Sequence, residues 1–505
     1  MSQEEAEEEN HCLLQGFEWH VPADQKHYRR LQGALPDLKA IGIDNVWLPP
    51  ACKGAGGAAA NGYDVYDLYD LGEFDQKGSR ATKWGPKEDL LALSERAREL
   101  GVGLYFDAVL NHKAGADEKE KCRVQEVEQE GGCTGPRTSA SRLRSKPGLG
   151  STFPGRGDQY SAQKYHWEHF SGTDYDDKRD SMGIFRVEGK CWSQSVGREA
   201  GNADFLMFAD LDYSHPEVAA DVLRWGPWVV RQLGLRGLRL DACQHFSERF
   251  TNEFVAHLEK EFGSDSLFLV GEFWVKDRTE MLEYLDNMHH KFWLFDAPLV
   301  YHFSALSRQQ ERGDLRTVFD GSLVQARPGA AVTVVMNHDT QPGQTVDTPI
   351  AAFFKPLAYA LILLRAEGYP SVFYGDLYGI KGKQPQAPAC DGRLPDLVLA
   401  RKLYAHGDQV DYWAERHCVG FVRRGTSAAT RPWGLACVMS NAGPGRIRME
   451  VGEAHGGKVW TDVLRWRGDV VRIDDGGFGD FPCAGKSVSV WVNRDAEGRE
   501  RFGKL

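Results

Sequence analysis

The chain has 505 residues, of which 42% are hydrophobic and 26% charged, so it can bury a large core and exceeds the length of one ordinary domain. Its formal net charge of -11 argues against a general polyanion-binding protein, because neutralising phosphates requires a basic surface. We therefore expect two or three domains and no nucleic-acid partner.

The sequence gives no sign of export or membrane insertion. Its first ten residues, MSQEEAEEEN, lack both the basic and the apolar region of a secretory signal. No run of 18 apolar residues occurs, and the ten cysteines form no CxxC pair, which is typical of reduced thiols. We expect a cytoplasmic, monomeric protein without a membrane partner.

Eight short runs of β-branched or aromatic residues follow one another along the chain, and helix-like segments separate them. This alternation favours a parallel arrangement in which each strand is followed by a helix. The eight predicted strands are 13–17, 45–48, 103–109, 235–240, 267–270, 292–295, 332–336 and 372–374.

Two parts of the chain fall outside this alternation. Residues 113–213, between the third and fourth strands, are rich in Gly, Ser, Asp and aromatic residues, which predicts an inserted β-rich domain. From residue 414 to residue 505, short alternating segments such as 459–464, 469–473 and 487–492 are separated by turn sequences. This pattern predicts a C-terminal all-β sandwich domain.

One helix is clearly marked after the inserted segment. Pro216 suits a first helical turn, and an apolar stripe follows it at helical spacing, formed by Val218, Val222, Trp225, Val229 and Leu233. We predict that the stripe is buried, and that the domain carrying this helix comprises residues 1–112 and 214–413.

Four acidic motifs each follow a predicted strand: DAVLNH at 107–112, GLRLDACQH at 237–245, GEFW at 271–274 and VVMNHDT at 334–340. Asp241 and Glu272 are 31 residues apart, and Glu272 and Asp339 are 67 apart, close to one and two steps of a βα repeat of about 30 residues. Asp107 precedes Asp241 by 134 residues, one step plus the insertion. The spacing predicts a (β/α)8 TIM barrel with a domain inserted after strand 3.

Carboxylates at the rim of such a barrel suit the hydrolysis of sugar acetals, which needs one ionised and one protonated carboxyl group. Arg239 and Asp241 lie two residues apart on one strand, so the guanidinium would keep Asp241 ionised as a nucleophile. Nearby carboxylates would raise the pKa of Glu272 and keep it protonated as a general acid. A single carboxylate here could be a helix cap or an ion-pair partner, but four at strand ends favour an active site.

These four motifs, in this order and spacing, resemble those of glycoside hydrolase family 13, the α-amylase family. The chain looks most similar to the liquefying bacterial enzymes of the family and to their intracellular fungal relatives. The resemblance covers nearly the whole chain, and its further segments are LQGFEW (14–19), NGYDVYDLYDLGEF (61–74), FPGRG (153–157), WEHFSGTDYD (167–176), LMFADLDYSHPEV (206–218) and VFYGDLYG (372–379).

The resemblance implies a role for each residue of the motifs. Asp241 would be the nucleophile, Glu272 the acid/base, and Asp339 the third carboxylate, which holds the distorted sugar. Arg239 would position the nucleophile, and Asp107 would support the site. The side chains expected to bind the substrate are Tyr63, His112, Arg239, Gln244, His245 and His338.

The resemblance also implies a calcium ion, which takes oxygen ligands from carboxylates, amides and backbone carbonyls. The expected ligands are Asn111, Asp204, Asp210 and the carbonyl of His245, and the ion would clamp the inserted domain onto the barrel. The alternative interpretation of these residues is a solvated acidic loop.

Four positions depart from the pattern of the liquefying enzymes. Ser171 and Ser193 stand where aspartates of a second metal cluster are expected, and Cys418 stands where an aspartate of a third site is expected. We therefore predict one calcium ion, not three. Gln244 replaces a lysine that usually contacts the substrate beyond the cleavage point, which predicts a changed affinity on the acceptor side.

We therefore expect a retaining, endo-acting α-amylase, which cleaves internal α-1,4-glucosidic bonds of starch, glycogen or maltodextrins through a covalent intermediate. A 4-α-glucanotransferase would use the same residues, with a sugar hydroxyl in place of water, so the motifs do not separate the two activities. A non-catalytic glucan-binding protein would have lost at least one of the three acids, and all three are present.

Overall fold

A computed structural model describes residues 10–127, 143–145, 149–176, 179–198, 202–426 and 431–504. Eight parallel strands, β1 to β8 in chain order, form a closed barrel. They are β1 Leu13–Gln15, β2 Asn45–Trp47, β3 Gly103–Ala108, β4 Gly237–Leu240, β5 Phe268–Gly271, β6 Trp293–Phe295, β7 Ala331–Val334 and β8 Tyr369–Phe373. Each corresponds to a predicted strand, so the predicted (β/α)8 barrel is confirmed.

Two of these strands begin two or three residues away from the predicted start. β4 starts at Gly237 instead of 235, because the Leu235 N–H donates to the Val230 carbonyl at 3.2 Å and so belongs to the end of the preceding helix. β8 starts at Tyr369 instead of 372. It contains Pro370, a residue that usually argues against a central strand, and Pro370 pairs with Thr333 of β7.

Helices alternate with the barrel strands, as a parallel barrel requires. The α-helices in the described part of the chain are α1 His27–Ile41, α2 Lys87–Glu99, α3 Pro216–Leu233, α4 Glu248–Phe262, α5 Arg278–Asn287, α6 Ala297–Gln309, α7 Leu323–Ala326, α8 Lys355–Leu364, α9 Tyr374–Tyr378 and α10 Leu394–Tyr404. None of the helices within the described residues has the length and apolarity needed to cross a bilayer.

Helix α3 shows how the sequence sets these elements. Pro216 occupies its first turn, and the ring of His215 accepts the N–H of Glu217 at 3.4 Å, which caps the helix. Gly234 ends it with a φ of 55°, a left-handed conformation that glycine adopts readily. All five residues of the predicted apolar stripe are buried, which confirms that prediction.

The inserted segment forms a six-stranded sheet, which confirms the predicted β-rich insertion. In spatial order its strands are His112–Lys113, Ala209–Leu211, Phe170–Asp176, Ser181–Val187, Cys122–Val127 and Leu143–Ser145. Its core includes the buried rings of Phe153, Tyr165 and Phe185. Because Asp210 pairs with His112 in this sheet, it lies beside Asn111. A separate two-stranded sheet pairs Lys53–Gly54 with Val65–Asp67.

The C-terminal segment forms two antiparallel sheets around one apolar core, as predicted. The larger sheet contains, in spatial order, Gln409–Tyr412, Cys418–Arg423, Leu435–Ser440, Ser487–Asn493, Val459–Asp462 and Val470–Arg472. The smaller sheet pairs Gly445–Glu450 with Phe478–Cys483. The strand Gln409–Tyr412 precedes the predicted boundary at residue 414, and the three predicted domain ranges stay predictions.

Contacts between residues divide the chain into two compact units. The C-terminal unit comprises Met1–His20, Pro36–Val46 and Asp296–Leu505, and it contains β1, β7, β8 and both C-terminal sheets. The insert unit comprises Val21–Leu35 and Trp47–Phe295, and it contains β3 to β6 and the six-stranded inserted sheet.

Candidate active site

Arg239 of β4 holds three carboxylates of the insert unit. Its Nη1 donates to Asp107 Oδ1 at 2.7 Å and to Asp241 Oδ1 at 2.5 Å, and its Nη2 donates to Glu272 Oε2 at 2.5 Å. Asp107 lies in β3, Asp241 directly follows β4 and Glu272 directly follows β5. We call these four buried residues the arginine cluster.

The backbone explains why these acids converge. Strand β4 pairs with β3 on one side and with β5 on the other. The ladder continues beyond the strands, because the Asp241 N–H donates to the Ala108 carbonyl at 3.0 Å and the Glu272 N–H donates to the Leu240 carbonyl at 2.9 Å. Ala242 then turns the chain with a φ of 46°. The two acids are thereby fixed at the carboxyl ends of neighbouring strands.

Burial and mutual attraction set the charges of the arginine cluster. Burial raises the pKa of Asp107 to about 7, with Arg239 opposing the shift and Asp241 adding to it. Burial also works against the charge of Arg239, but Asp107, Glu272 and Asp241 outweigh it and raise the pKa of Arg239 well above its usual value. One permanent cation thus faces three acids, which favours a proton on one of them.

The predicted protonation of Glu272 stays a prediction. This prediction depends on repulsion between carboxylates. The guanidinium of Arg239 also donates to Glu272 and opposes that repulsion.

Two neutral donors complete the surroundings of Asp107. Its Oδ2 accepts the Trp47 indole N–H and the Tyr63 hydroxyl, both at 2.9 Å. The same two rings lie 4.9 Å and 5.8 Å from the guanidinium carbon of Arg239. These contacts suit a supporting role for Asp107. Trp47 was missed by the sequence analysis, although its place at the end of β2 is the signal that identified the acids.

His112 lies between Tyr63, a predicted substrate contact, and Asn111, a predicted calcium ligand. It is buried, and its ring nitrogens lie 2.8 Å from the Tyr63 carbonyl and 3.2 Å from the Asn111 side-chain nitrogen. Burial lowers the pKa of His112 to about 4, so the ring is neutral near pH 7. The predicted contact of His112 with the sugar stays a prediction, as does that of Tyr63.

In the C-terminal unit, His338 and Asp339 lie on the loop after β7. Buried His338 is 2.9 Å from the Gln15 side-chain nitrogen through Nδ1 and 3.3 Å from Asp339 Oδ2 through Nε2. The Asp339 N–H donates to Asn337 Oδ1 at 2.9 Å, and the Trp19 ring stacks on His338 at 6.1 Å. These contacts fix the loop while one third of the Asp339 side chain stays exposed. Gln15, which ends β1, was not predicted.

Asn111, Asp204 and Asp210, which we call the calcium group, are buried in the insert unit. Asn111 Oδ1 has no hydrogen-bond partner among the described residues. Burial raises the pKa of Asp204 to about 7 and that of Asp210 well above its usual value, and Asp204 adds to the latter shift. Their donors are neutral: the Ser193 N–H to Asp204 at 2.8 Å and the Ser171 hydroxyl to Asp210. An orphaned amide oxygen with two buried carboxylates fits calcium.

Asp212, close to the calcium group in sequence, is neutralised by the chain itself. Its Oδ2 accepts from Lys190 Nζ at 2.7 Å, and the same ammonium donates to the Glu168 carbonyl. Although burial opposes the shift, Lys190 and Ser214 lower the pKa of Asp212 below its usual value. A lysine, which the sequence analysis missed, therefore supplies the positive charge at this position.

The turn Cys243–His245 after β4 carries two further predicted residues. Gln244 is buried, and its Oε1 has no hydrogen-bond partner among the described residues. Its carbonyl accepts the Gly197 N–H at 2.8 Å, and His245 Nδ1 pairs with the Ala203 carbonyl. The turn is thus bound to the segment that leads to Asp204, and the substrate roles of Gln244 and His245 stay predictions.

A second group of possible metal ligands consists of His169, His215 and Glu217, whose ligand atoms lie within 4.8 Å of one another. His169 Nδ1 already accepts the His166 N–H at 2.8 Å, so the neutral ring carries its proton on Nε2, which lies 3.0 Å from Glu217. A hydrogen bond between His169 and Glu217 therefore accounts for this contact without a metal ion.

Comparison with known proteins identifies the family to which the chain is similar. The family model of the α-amylase catalytic domain matches residues 30–406. The chain is 42% identical to an α-amylase of Bacillus licheniformis over 96% of this chain and 94% of that protein. It is 41% identical to the cytoplasmic α-amylase of Escherichia coli strain K12 over 96% and 99% of the two chains.

Among solved structures, an α-amylase from Geobacillus thermoleovorans complexed with acarbose has the same fold. It matches with a TM-score of 0.61 at 17% identity, over 96% of this chain and 98% of that chain. The family match and the two sequence relatives cover most of the chain, so the predicted resemblance is confirmed. The protein belongs to the α-amylase family of glycoside hydrolases.

Proposed function

We propose that this protein is a retaining, endo-acting α-amylase that hydrolyses internal α-1,4-glucosidic bonds of starch, glycogen or maltodextrins. The observation that carries the proposal is the arginine cluster, in which Asp241 and Glu272 each accept from one guanidinium at 2.5 Å. A double displacement at a sugar acetal needs two carboxyl groups, one as nucleophile and one as acid/base, and these two lie on neighbouring strand ends.

In this proposal Asp241 attacks the anomeric carbon and forms the covalent glycosyl-enzyme intermediate. Glu272 protonates the leaving oxygen and then takes a proton from the water that resolves the intermediate. Arg239 keeps Asp241 ionised and oriented, and Asp107 orients Arg239. Asp339 holds the distorted sugar through its hydroxyl groups.

The proposed substrate contacts are the predicted ones. His338 would donate to the sugar beside Asp339, and the half-buried ring of Tyr63 would stack on its face. On the acceptor side, the unpaired amide oxygen of Gln244 would accept from a sugar hydroxyl group. His112, Arg239 and His245 complete the proposed set.

We also propose one calcium ion, held by Asn111, Asp204, Asp210 and the carbonyl of His245. The unpartnered amide oxygen and the raised pKa of both aspartates support it, because a bound cation would offset both. The ion would supply no chemistry to the substrate and would neutralise buried charge. We further propose a cytoplasmic monomer, since the Escherichia coli relative is named a cytoplasmic enzyme.

A digest of maltoheptaose tests the proposal. Hydrolysis gives only shorter oligosaccharides, and their new reducing ends appear first as α-anomers by proton NMR because the mechanism retains configuration. Products longer than maltoheptaose would instead indicate a 4-α-glucanotransferase, and initial β-anomers would contradict the covalent intermediate. The Asp241→Asn variant is the matched control for contaminating activity, and a parallel digest with a calcium chelator tests the ion.

A further inference from the structure

Two cysteines of the C-terminal unit lie close together across its two sheets. Cys418 begins the strand Cys418–Arg423 of the larger sheet, and Cys483 ends the strand Phe478–Cys483 of the smaller sheet. The neighbouring Cys483 raises the pKa of the Cys418 thiol, and Cys418 in turn lowers the pKa of Cys483. Both belong to the apolar core between the sheets, with Cys483 buried and Cys418 half-buried.

Gly445 shows how closely the two sulfur atoms approach. It pairs with Cys483 in the smaller sheet. A Cβ atom placed on Gly445 would lie 3.5 Å from the sulfur of Cys483 and would overlap with the sulfur of Cys418. Both sulfurs therefore face the same point of the backbone, and the glycine leaves room for them.

The pKa shifts of the two thiols agree with this placement. The backbone at Gly445 lowers the pKa of Cys483, and the backbone at the next residue, Arg446, lowers the pKa of Cys418. Both sulfurs therefore lie beside the same short segment, which strand pairing holds in place.

We propose that Cys418 and Cys483 are an oxidative modification site, at which an intramolecular disulfide forms when the protein meets a peroxide or a disulfide oxidant. The half-buried Cys418 admits a small oxidant, and the sulfur of Cys483 faces the same glycine, Gly445, as the sulfur of Cys418. In a reducing compartment the pair stays as two thiols, as expected for the rest of the cysteines.

The chemistry balances with hydrogen peroxide as the oxidant. Peroxide converts the Cys418 thiol to a sulfenic acid and releases one water molecule. The Cys483 sulfur then attacks the Cys418 sulfur, the S–S bond forms, and the hydroxyl leaves as a second water molecule with the proton of Cys483. The two thiols lose two electrons and two protons, and the peroxide is reduced to two water molecules.

The disulfide would strengthen an end of the C-terminal sheets that also holds the segment after α6. Asn441, which follows the strand paired to Cys418, donates to the carbonyls of Gln310 and Gly313 at 2.8 Å and 3.0 Å. The Leu315 N–H donates to the Arg416 carbonyl at 2.9 Å. Because the bridge joins positions 65 residues apart, it closes a long loop and constrains the unfolded chain strongly.

The test uses the full chain treated with hydrogen peroxide or with oxidised glutathione. Digestion without reductant should yield one cross-linked species, the Cys418 peptide joined to the Cys483 peptide with two hydrogen atoms fewer than the free pair. The oxidised protein should melt several degrees higher than the reduced protein, and dithiothreitol should reverse both changes.

Matched variants each remove one sulfur atom of the C-terminal unit. Cys418→Ala and Cys483→Ala should show no change in melting temperature on oxidation, whereas Cys437→Ala, a buried thiol on the neighbouring strand, should keep the full shift. A Cys437–Cys483 peptide, a covalent dimer on non-reducing gels, or oxidised Cys418 beside a free Cys483 thiol would each overturn the proposal. These readings come from wild-type protein and hold even if a variant fails to fold.

Discussion

The arginine cluster and the calcium group both contain buried acids of the insert unit, but the charges of these acids are balanced differently. Asp107, Asp241 and Glu272 share the guanidinium of Arg239, whereas Asp204 and Asp210 accept from the neutral Ser193 N–H and Ser171 hydroxyl. The guanidinium is part of the chain, so it cannot dissociate, and it orients the acids that take part in the reaction. Neutral donors leave the negative charge unbalanced, which creates affinity for an ion from solution.

The largest expected effect comes from removing a reacting acid of the arginine cluster. Glu272→Gln and Asp241→Asn should each lower kcat on maltoheptaose by on the order of 10⁴-fold or more, because each removes one half of the double displacement. Steady-state kinetics measure it, and Glu217→Gln, an exposed acid of the same unit, is the control. Wild-type activity in Glu272→Gln would refute the assignment of the acid.

Removing the guanidinium of Arg239 should lower the stability of the fold as well as the rate of the reaction. Arg239→Met leaves three buried acids without their guanidinium, and we expect a loss of about 3–5 kcal/mol in the free energy of unfolding. Urea denaturation measures the loss. Arg239→Lys is the matched control, since it keeps the charge but not the fork that reaches all three acids. Equal stability of Arg239→Met and wild type would show that the cluster needs no cation.

Calcium should stabilise the protein through the calcium group. At a free calcium concentration 100 times its Kd, we expect a gain of about 2.7 kcal/mol over protein in chelator. Asp210→Asn should lose this gain yet be more stable than wild type in chelator, because burial of this carboxyl group is unfavourable. Thermal melts of both proteins in each condition provide the four values. A calcium shift preserved in Asp210→Asn would move the site elsewhere.

The stability of the protein should depend on pH in chelator but not in saturating calcium. Asp204 has a folded-state pKa of about 7 against an ordinary value of 3.8, so the folded protein retains a proton that the unfolded chain releases. In chelator, its contribution is therefore complete below pH 3.8 and is lost as the pH rises to about 7, at up to about 1.4 kcal/mol per pH unit. Saturating calcium, which requires ionised carboxylates, should cancel this decline.

The difference in unfolding free energy between wild type and Asp204→Asn isolates this contribution from other titrating groups. Urea titrations at several pH values between 4 and 7 supply that difference. A difference that does not change with pH in chelator would contradict the assignment.

The smallest effect concerns a neutral donor of the arginine cluster. Tyr63→Phe removes the hydroxyl that donates to Asp107 at 2.9 Å, and we expect a loss of about 1 kcal/mol in stability. The comparison with Arg239→Met then measures how much of the cluster depends on charge. Urea denaturation at neutral pH is sufficient, and a loss as large as that of Arg239→Met would mean that hydrogen bonds, not charge, hold the acids.

The sequence was sufficient to predict the barrel because apolar β-branched runs and the spacing of four motifs repeat at the period of a βα unit. It failed at Pro370, because local rules exclude proline from a central strand while the ladder with β7 accommodates it. The acids of the arginine cluster were predictable for a related reason. Each ends a strand, and parallel strands bring their ends to one rim.

The contacts of residues without such a pattern could not be predicted. Lys190 and Ser171 reach acids 22 and 39 positions away, and nothing in their local sequence indicates a buried partner. The hydrogen bonds of His169 depend likewise on the folding of the inserted sheet. Trp47 and Gln15 are intermediate, because both end barrel strands but neither carries the acidic side chain that marks the four motifs.

Lys190 gives the inserted sheet a property that a bound ion could not give it. Its ammonium reaches Asp212 at 2.7 Å and also the Glu168 carbonyl. A cation attached by a side chain has no dissociation equilibrium, so dilution, chelators and competing metals do not remove it. Changes in the free calcium concentration would then affect Asp204 and Asp210 but would leave the Lys190–Asp212 ion pair unchanged. At Asp212 the structure would be independent of metal, and it would also be unable to respond to metal.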